Sequence, residues 1–190
     1  AHMLERIIFL TCFRIGARIG FWGGEVPQLF DDMAELKPTF MLGVPRVFNR
    51  LYEGVLTSVR QQGGVKKLLF DYAYGTKRDA FISSGQLTHP LFDALVFRKI
   101  REKLGGRVRF LFTGSAPIDS EVMVFLSVCL SVPVLQGYGQ TETSGGVCLA
   151  NAYDPTMVTG HCGPTLACGE VKVIDVPEMQ LEAKNGVGEL

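Results

Sequence analysis

Apolar residues recur at helical spacing in six stretches of the chain, and short unbroken apolar runs lie between them. In residues 3–18, Leu4, Ile8 and Ile15 fall near one face and leave Arg14 and Arg18 to the other, which predicts a helix. IGFW (19–22) reads as a short strand or extended segment before Gly23-Gly24. Leu29, Met33 and Leu36 stand at i, i+4 and i+7, so a helix is predicted over 26–36, stopped by Pro38. TFMLGV (39–44) is apolar with turn signals on both sides and reads as a buried strand. Pro45 suits the first turn of the next helix, whose inward stripe is Phe48, Tyr52, Val55 and Val59.

Gly63-Gly64 breaks the chain before a helix over about 65–82. Residues 91–104 form another, with Val96, Phe97, Ile100 and Leu104 inward. RVRFLFTG (107–114) reads as a strand. Asp119 can cap a helix carrying Val122, Phe125, Leu126 and Cys129 on one side. VPVLQ (132–136) is a second buried strand, and EVKVIDV (170–176) alternates like a half-exposed one. Alternation of strands and helices predicts an α/β fold, a largely parallel sheet flanked by helices.

Composition narrows the function classes. At 47% apolar residues the chain can bury a sizeable core. Lys+Arg and Asp+Glu balance at 19 each, which argues against a nucleic-acid partner. The cysteines, Cys12, Cys129, Cys148, Cys162 and Cys168, make no CxxC pair, so neither a zinc site nor a disulfide scaffold is expected. Residues 122–141 carry no charge over about the length that spans a bilayer, but Pro133 and two glycines interrupt them, and they read as a core helix and strand. No secretory signal pattern opens the chain. Arg46, Arg50, Arg60 and Lys66-Lys67 form a basic face, either simply solvated or in contact with a membrane.

Two stretches share a predicted layout of strand, tight turn and helix: FLFTGSAPIDSEV (110–122) and VPVLQGYGQTETSG (132–145). In an open parallel sheet such turns sit at the carboxyl ends of strands, where ligands bind. Gly137 and Gly139 allow a sharp bend and close approach of a flat ligand. Tyr138 can stack on a base, a contact of roughly 1–3 kcal/mol. The Thr141 hydroxyl suits a phosphate oxygen near a helix N-terminus, and Glu142 is a hard oxygen ligand for Mg²⁺. Equally, Gly-Tyr-Gly is a common turn, and a Glu in a helix's first turn is favourable for its dipole alone. The stretch is not a dinucleotide fingerprint, since Glu142 stands where a third glycine would be needed. No GxxxxGK[ST] occurs, and TGSAP does not match GxSxG, so Ser115 is a poor hydrolase nucleophile.

Taken together, TGSAP (113–117) and GYGQTE (137–142) resemble the adenylate-forming superfamily of acyl-CoA synthetases, luciferases and peptide-synthetase adenylation domains. The resemblance is closest to long-chain fatty acyl-CoA synthetases, through KPTFMLGVPRVFNRLYEGV (37–55), LGGRVRFLFTGSAPI (104–118) and TGHCGPTLACGEVKVIDV (159–176). It implies ATP-dependent activation of a long-chain fatty acid through acyl-AMP, with pyrophosphate released and coenzyme A as the final acceptor. By resemblance, Gly114, Ser115, Ala116 and Pro117 line the adenine side. Gln136, Gly137, Tyr138, Gly139 and Thr141 contact the nucleotide, with Tyr138 flanking adenine and Thr141 on phosphate. Glu142 holds Mg²⁺. Val44, Pro45 and Phe48 are candidates for the acyl tunnel, and core packing explains them equally well. AHMLERI (1–7) is similar to the family segment whose histidine lies beside the acyl carboxylate, which makes His2 a catalytic candidate; AHM would also suit the remnant of an expression tag.

The resemblance further implies that the family's phosphate loop precedes residue 1, and that its ribose-binding Asp and small C-terminal domain with the catalytic Lys follow residue 190. Residues 1–190 are then expected to be a fragment of the large N-terminal adenylation domain, inactive alone. Self-association through exposed strand edges is expected as well. Two other readings stand beside this one: an adenylate-forming relative with a different acid or acceptor, and a nucleotide- or acyl-binding module without turnover. The expected location is intracellular, in the cytoplasm or peripheral on the cytoplasmic face of an organelle membrane.

Overall fold

A computed structural model describes residues 3–21, 23–24, 28–152 and 160–190. Four strands form one open sheet in the order β1 (Phe40–Gly43), β2 (Phe110–Thr113), β3 (Val134–Gln140), β4 (Gly145–Leu149). The first three run parallel, with Leu42 beside Phe112 and Phe112 beside Leu135. The fourth returns antiparallel to β3. The α/β, largely parallel architecture expected from the strand–helix alternation is therefore present.

Local sequence explains most element boundaries. α1 is Met3–Ile15 and α2 is Leu29–Leu36. Pro45 opens α3 (Pro45–Gln62), where its missing N–H costs nothing, and Phe48, Leu51 and Val55 are buried. Gly63 separates α3 from α4 (Gly64–Ser84) with a φ of 57° that glycine takes without strain. α7 (Ser120–Leu130) begins where the Asp119 carboxylate accepts a hydrogen bond from the Glu121 N–H at 2.7 Å. Every residue from Val122 to Leu130 is buried, as befits a helix apolar all round. The main core gathers Phe48 and Leu51 of α3, Phe70 of α4, Leu111 of β2, and Phe125 and Leu126 of α7.

Two expectations change. Residues 91–104 are not one regular helix: α5 (Pro90–Phe92) passes through a π-helical turn (Asp93–Phe97) into α6 (Arg98–Glu102). Bonds in a π turn run i→i+5. That spacing aligns Phe92 with Phe97 toward the core, which an α-helix would not do. EVKVIDV is not a strand of the sheet. Its only pairings among the described residues are isolated bridges, Ile174 with Glu189 and Val176 with Leu181, so the alternating pattern lacks a neighbouring strand to complete it.

The π turn also brings Asp93 inward to Lys77 of α4. Lys77 is 1% exposed, and its ammonium uses all three donors: 2.6 Å to Asp93 Oδ1, 2.7 Å to the Val128 carbonyl and 2.8 Å to Ser131 Oγ. It also lies 4.5 Å from the centre of the Phe97 ring. Asp93 accepts further bonds from Ser131 Oγ at 2.9 Å and the His89 N–H at 2.9 Å. Burial alone would push the Asp93 carboxyl up, but the hydrogen bond from Lys77 and the His89 amide outweigh it and hold it below the usual carboxylate range. Burial pulls the Lys77 ammonium down, and Asp93 only partly offsets that.

Candidate functional site

GYGQTETSG is not a turn leading into a helix. GYGQ is the second half of β3, residues 141–144 form the turn, and β4 runs back along it. The reason is close approach of two backbones. Neither Gly137 nor Gly139 takes a positive φ; both are extended, and the pairing sets Gly139 opposite Gly146 and Gln140 opposite Gly145. A β-carbon on Gly139 would lie 1.9 Å from the Gly145 carbonyl oxygen. One on Gly137 would lie 2.8 Å from the Phe112 ring. Thr141 therefore sits in a hairpin turn, with no helix N-terminus beneath its hydroxyl.

The turn is built by Thr143, which the sequence reading passed over. Its hydroxyl accepts from the Gln140 N–H at 3.0 Å and reaches the Gly145 carbonyl at 2.9 Å. The available signal was a Thr-Ser-Gly run, since short hydroxyl side chains favour such local bonds. Thr141 and Glu142 project into solvent beside it. Tyr138 is half-buried, and its phenol oxygen accepts from Gln140 Nε2 at 2.7 Å, which braces the ring. Gly145 takes a φ of 119° and packs under Ile7 of α1.

TGSAP lies at the carboxyl end of β2, next to this hairpin. Thr113 pairs in register with Gln136. Buried Gly114 backs onto β3: its missing β-carbon would be 3.4 Å from the Gly137 carbonyl oxygen. Ser115 is exposed with a φ of 72°, a left-handed backbone that non-glycine residues seldom adopt and that clusters at ligand sites. Ala116 and Pro117 follow it at the surface. The two motifs meet along one rim of the sheet, the place where open α/β sheets bind ligands.

The remaining candidates divide. Val44 is exposed at the neighbouring end of β1, whose Gly43 pairs with Thr113. Pro45 and Phe48 are buried, and Phe48 packs on Gly43 within the main core. His2 lies outside the described residues. Among the described residues no three His, Cys, Asp or Glu side chains cluster tightly enough to hold a metal. A lone exposed Glu142 fits instead a Mg²⁺ that arrives on a nucleotide, which needs one or two protein carboxylates and takes its other ligands from phosphate and water. Burial pushes the Cys129 thiol up, so it is an inert core group.

Gly139→Ala tests the hairpin. The new methyl forces β3 and β4 apart, and we expect a loss of about 1–3 kcal/mol in stability, as for other overpacked positions. Urea denaturation reads the loss, and unchanged stability would mean that the two backbones separate without cost.

Known proteins bear on this geometry. The AMP-binding enzyme family matches residues 1–190. The peroxisomal long chain acyl-CoA synthetase 6 of Arabidopsis thaliana is 45% identical over 181 residues, covering 94% of this chain and 25% of that protein. Human long-chain-fatty-acid–CoA ligase 1 is 38% identical over 191 residues, covering 100% of this chain and 27% of that protein. The chain thus spans about a quarter of the length of these curated relatives. Among solved structures, the A-PCP didomain of the carboxylic acid reductase from Segniliparus rugosus, in complex with AMP, superposes with a TM-score of 0.53 at 27% identity, covering 85% of this chain and 18% of that one. With the match running from end to end, and with the two motifs meeting along one rim of the sheet, this chain belongs to the AMP-binding enzyme family.

Proposed function

We propose that the protein carrying this chain activates long-chain fatty acids to acyl-CoA. The observation that carries the reading is the junction of TGSAP and GYGQTE, where Gly114, just past the carboxyl end of β2, backs onto Gly137, the β3 residue that follows the parallel pairing. The fatty-acid assignment is supported by the names of the relatives. In the reaction, the fatty-acid carboxylate attacks the α-phosphorus of ATP and pyrophosphate leaves. The thiolate of coenzyme A then attacks the acyl carbon of acyl-AMP, and AMP leaves. The first step crowds negative charge, so positioning and charge stabilisation matter more than a protein nucleophile.

In this proposal Gly114, Ser115, Ala116 and Pro117 form one wall for the adenine and Tyr138 the other. Gln136, Gly137 and Gly139 supply the backbone floor. Thr141 donates to phosphate, and Glu142 holds Mg²⁺, which neutralises phosphate charge. His2 orients the acyl carboxylate, and Val44 stands at the entrance to the acyl tunnel. Residues 1–190 are read as part of an adenylation domain. An intracellular location is supported by the five free cysteines and by the peroxisomal names of relatives.

The test is pyrophosphate release by the full-length protein with palmitate, with and without coenzyme A. We expect release that depends on the fatty acid and turns over repeatedly only when coenzyme A is present. Release indifferent to coenzyme A would identify a different acceptor. No release with any acid would leave a binding module.

A further inference from the structure

Tyr138 and Gln140 stand two residues apart on β3, so both side chains leave the same face of the strand. The Gln140 amide donates to the Tyr138 phenol oxygen at 2.7 Å, and among the described residues the phenol makes no other hydrogen bond. The other described tyrosines are fixed by packing on phenylalanine. Tyr52 and Tyr74 meet the Phe125 ring at 4.7 and 5.2 Å between centroids, and Tyr72 meets Phe92 at 5.9 Å. Among the described residues Tyr138 is the tyrosine with no aromatic neighbour. The direction of its half-buried ring is therefore set at the tip, by Gln140.

Gln140 is itself held in place. Its N–H donates to Thr143 Oγ at 3.0 Å, and it pairs with Gly145 across the hairpin. Tyr138 pairs with Cys148 and Gly139 with Gly146, so β4 carries one extra residue, Val147, at this point. Bulges of this kind re-aim side chains and recur beside active sites. We propose that Gln140 is a positioning residue for the nucleotide: its amide fixes the Tyr138 ring in the direction in which a flat base stacks on it. The proposal rests on Tyr138 forming one wall of the adenine site, and Gln140 acts through that ring. A ring already oriented lets the base bind more tightly, since a free side chain has to be immobilised on binding. The gain is the same in the ground state and the transition state, so it belongs in the affinity for ATP and not in kcat.

The experiment uses the full-length protein as wild type, Gln140→Leu, Tyr138→Phe and the double variant. Gln140→Leu keeps much of the side-chain volume without the amide, and Tyr138→Phe keeps the ring without the hydroxyl. Isothermal titration reads ATP affinity, and pyrophosphate release with palmitate reads kcat. Gln140→Leu should weaken ATP binding about three- to tenfold, the scale of one neutral hydrogen bond and one immobilised side chain. Its kcat should stay within about twofold of the wild type. Tyr138→Phe should weaken ATP by a similar factor, and the double variant by no more than either single change, because both break one bond. Fluorine NMR of protein labelled with 3-fluorotyrosine reads the ring without ATP: the resonance missing from Tyr138→Phe is that of Tyr138, and it should shift in Gln140→Leu. Melting temperature should hold, since Gln140 is exposed. Unchanged ATP affinity in Gln140→Leu overturns the proposal. So do effects of the two changes that add, which would mean that Gln140 acts without Tyr138. A melting temperature lowered by many degrees in Gln140→Leu would make its role structural and would equally overturn it. ATP binding by the wild type without pyrophosphate release would refute the proposed activity alone, and the four affinities would still decide the role of Gln140. No ATP binding by the wild type would overturn both.

Discussion

Lys77→Ala is expected to lower the stability of the fold by about 3–5 kcal/mol, the cost of breaking a buried ion pair by removing one partner. Domains of this kind are stable by only about 5–15 kcal/mol in total, so roughly a fifth of the margin would go at the least and all of it at the most. The variant leaves the Asp93 carboxylate with Ser131 and the His89 amide but no cation. The Val128 carbonyl loses its ammonium donor as well. Lys77→Met keeps most of the buried stem and should still destabilise, which separates charge from volume. Adding Asp93→Leu to Lys77→Met should recover most of the loss, because an apolar pair no longer carries an uncompensated charge. Urea denaturation followed by circular dichroism measures all three.

The same pair sets an acid limit. Asp93 is held below its unfolded value, so its contribution to stability is present above about pH 4, the ordinary carboxylate range. It is lost as pH falls through the lowered folded value. The wild type should therefore lose stability more steeply below about pH 4 than the Lys77→Met, Asp93→Leu variant. Equal slopes would mean that the carboxyl titrates the same way folded and unfolded.

Glu142→Ala is expected to cut palmitate-dependent pyrophosphate release by about 10²–10³-fold, the range for removing one group that stabilises transition-state charge. Its folding stability should stay within about 0.5 kcal/mol of the wild type, since Glu142 is exposed on a turn held by Thr143. Glu142→Asp discriminates further. A shortened carboxylate that still reaches Mg²⁺ should raise the Mg²⁺ concentration needed for half-maximal rate while retaining part of the activity. Full activity in Glu142→Ala would remove Glu142 from the metal site. Lost activity with lost folding would show a structural role instead.

What the sequence made legible was local. Pro45 and the Phe48 stripe announced α3, and Asp119 announced α7 through a bond two residues long. Apolar runs marked β1, β2 and the first half of β3. The hairpin stayed hidden because glycine is a poor strand former, and Gly137, Gly139, Gly145 and Gly146 become strand only once the two backbones lie against each other. Lys77 and Asp93 carry no signal in the sequence that sets them apart from other charged residues. Their pairing depends on a π turn and on Ser131, which is 54 residues from Lys77, and no sequence window contains both. Within the candidate site, the motif residues were named through the family resemblance, but the support from Thr143 and the left-handed Ser115 became visible only in three dimensions.

The continuity of β3 has a consequence for affinity. Its first half is paired with β2, and its second half, paired with β4, carries the residues proposed to contact the nucleotide. Gly137–Gln140 therefore need no ordering when a nucleotide arrives. Immobilising a backbone residue costs roughly 1–2 kcal/mol in conformational entropy, and glycine loses the most. For these four positions, two of them glycine, that cost of about 4–8 kcal/mol is met when the chain folds rather than when it binds. A flexible Gly-rich loop of the same composition would subtract it from every ligand contact.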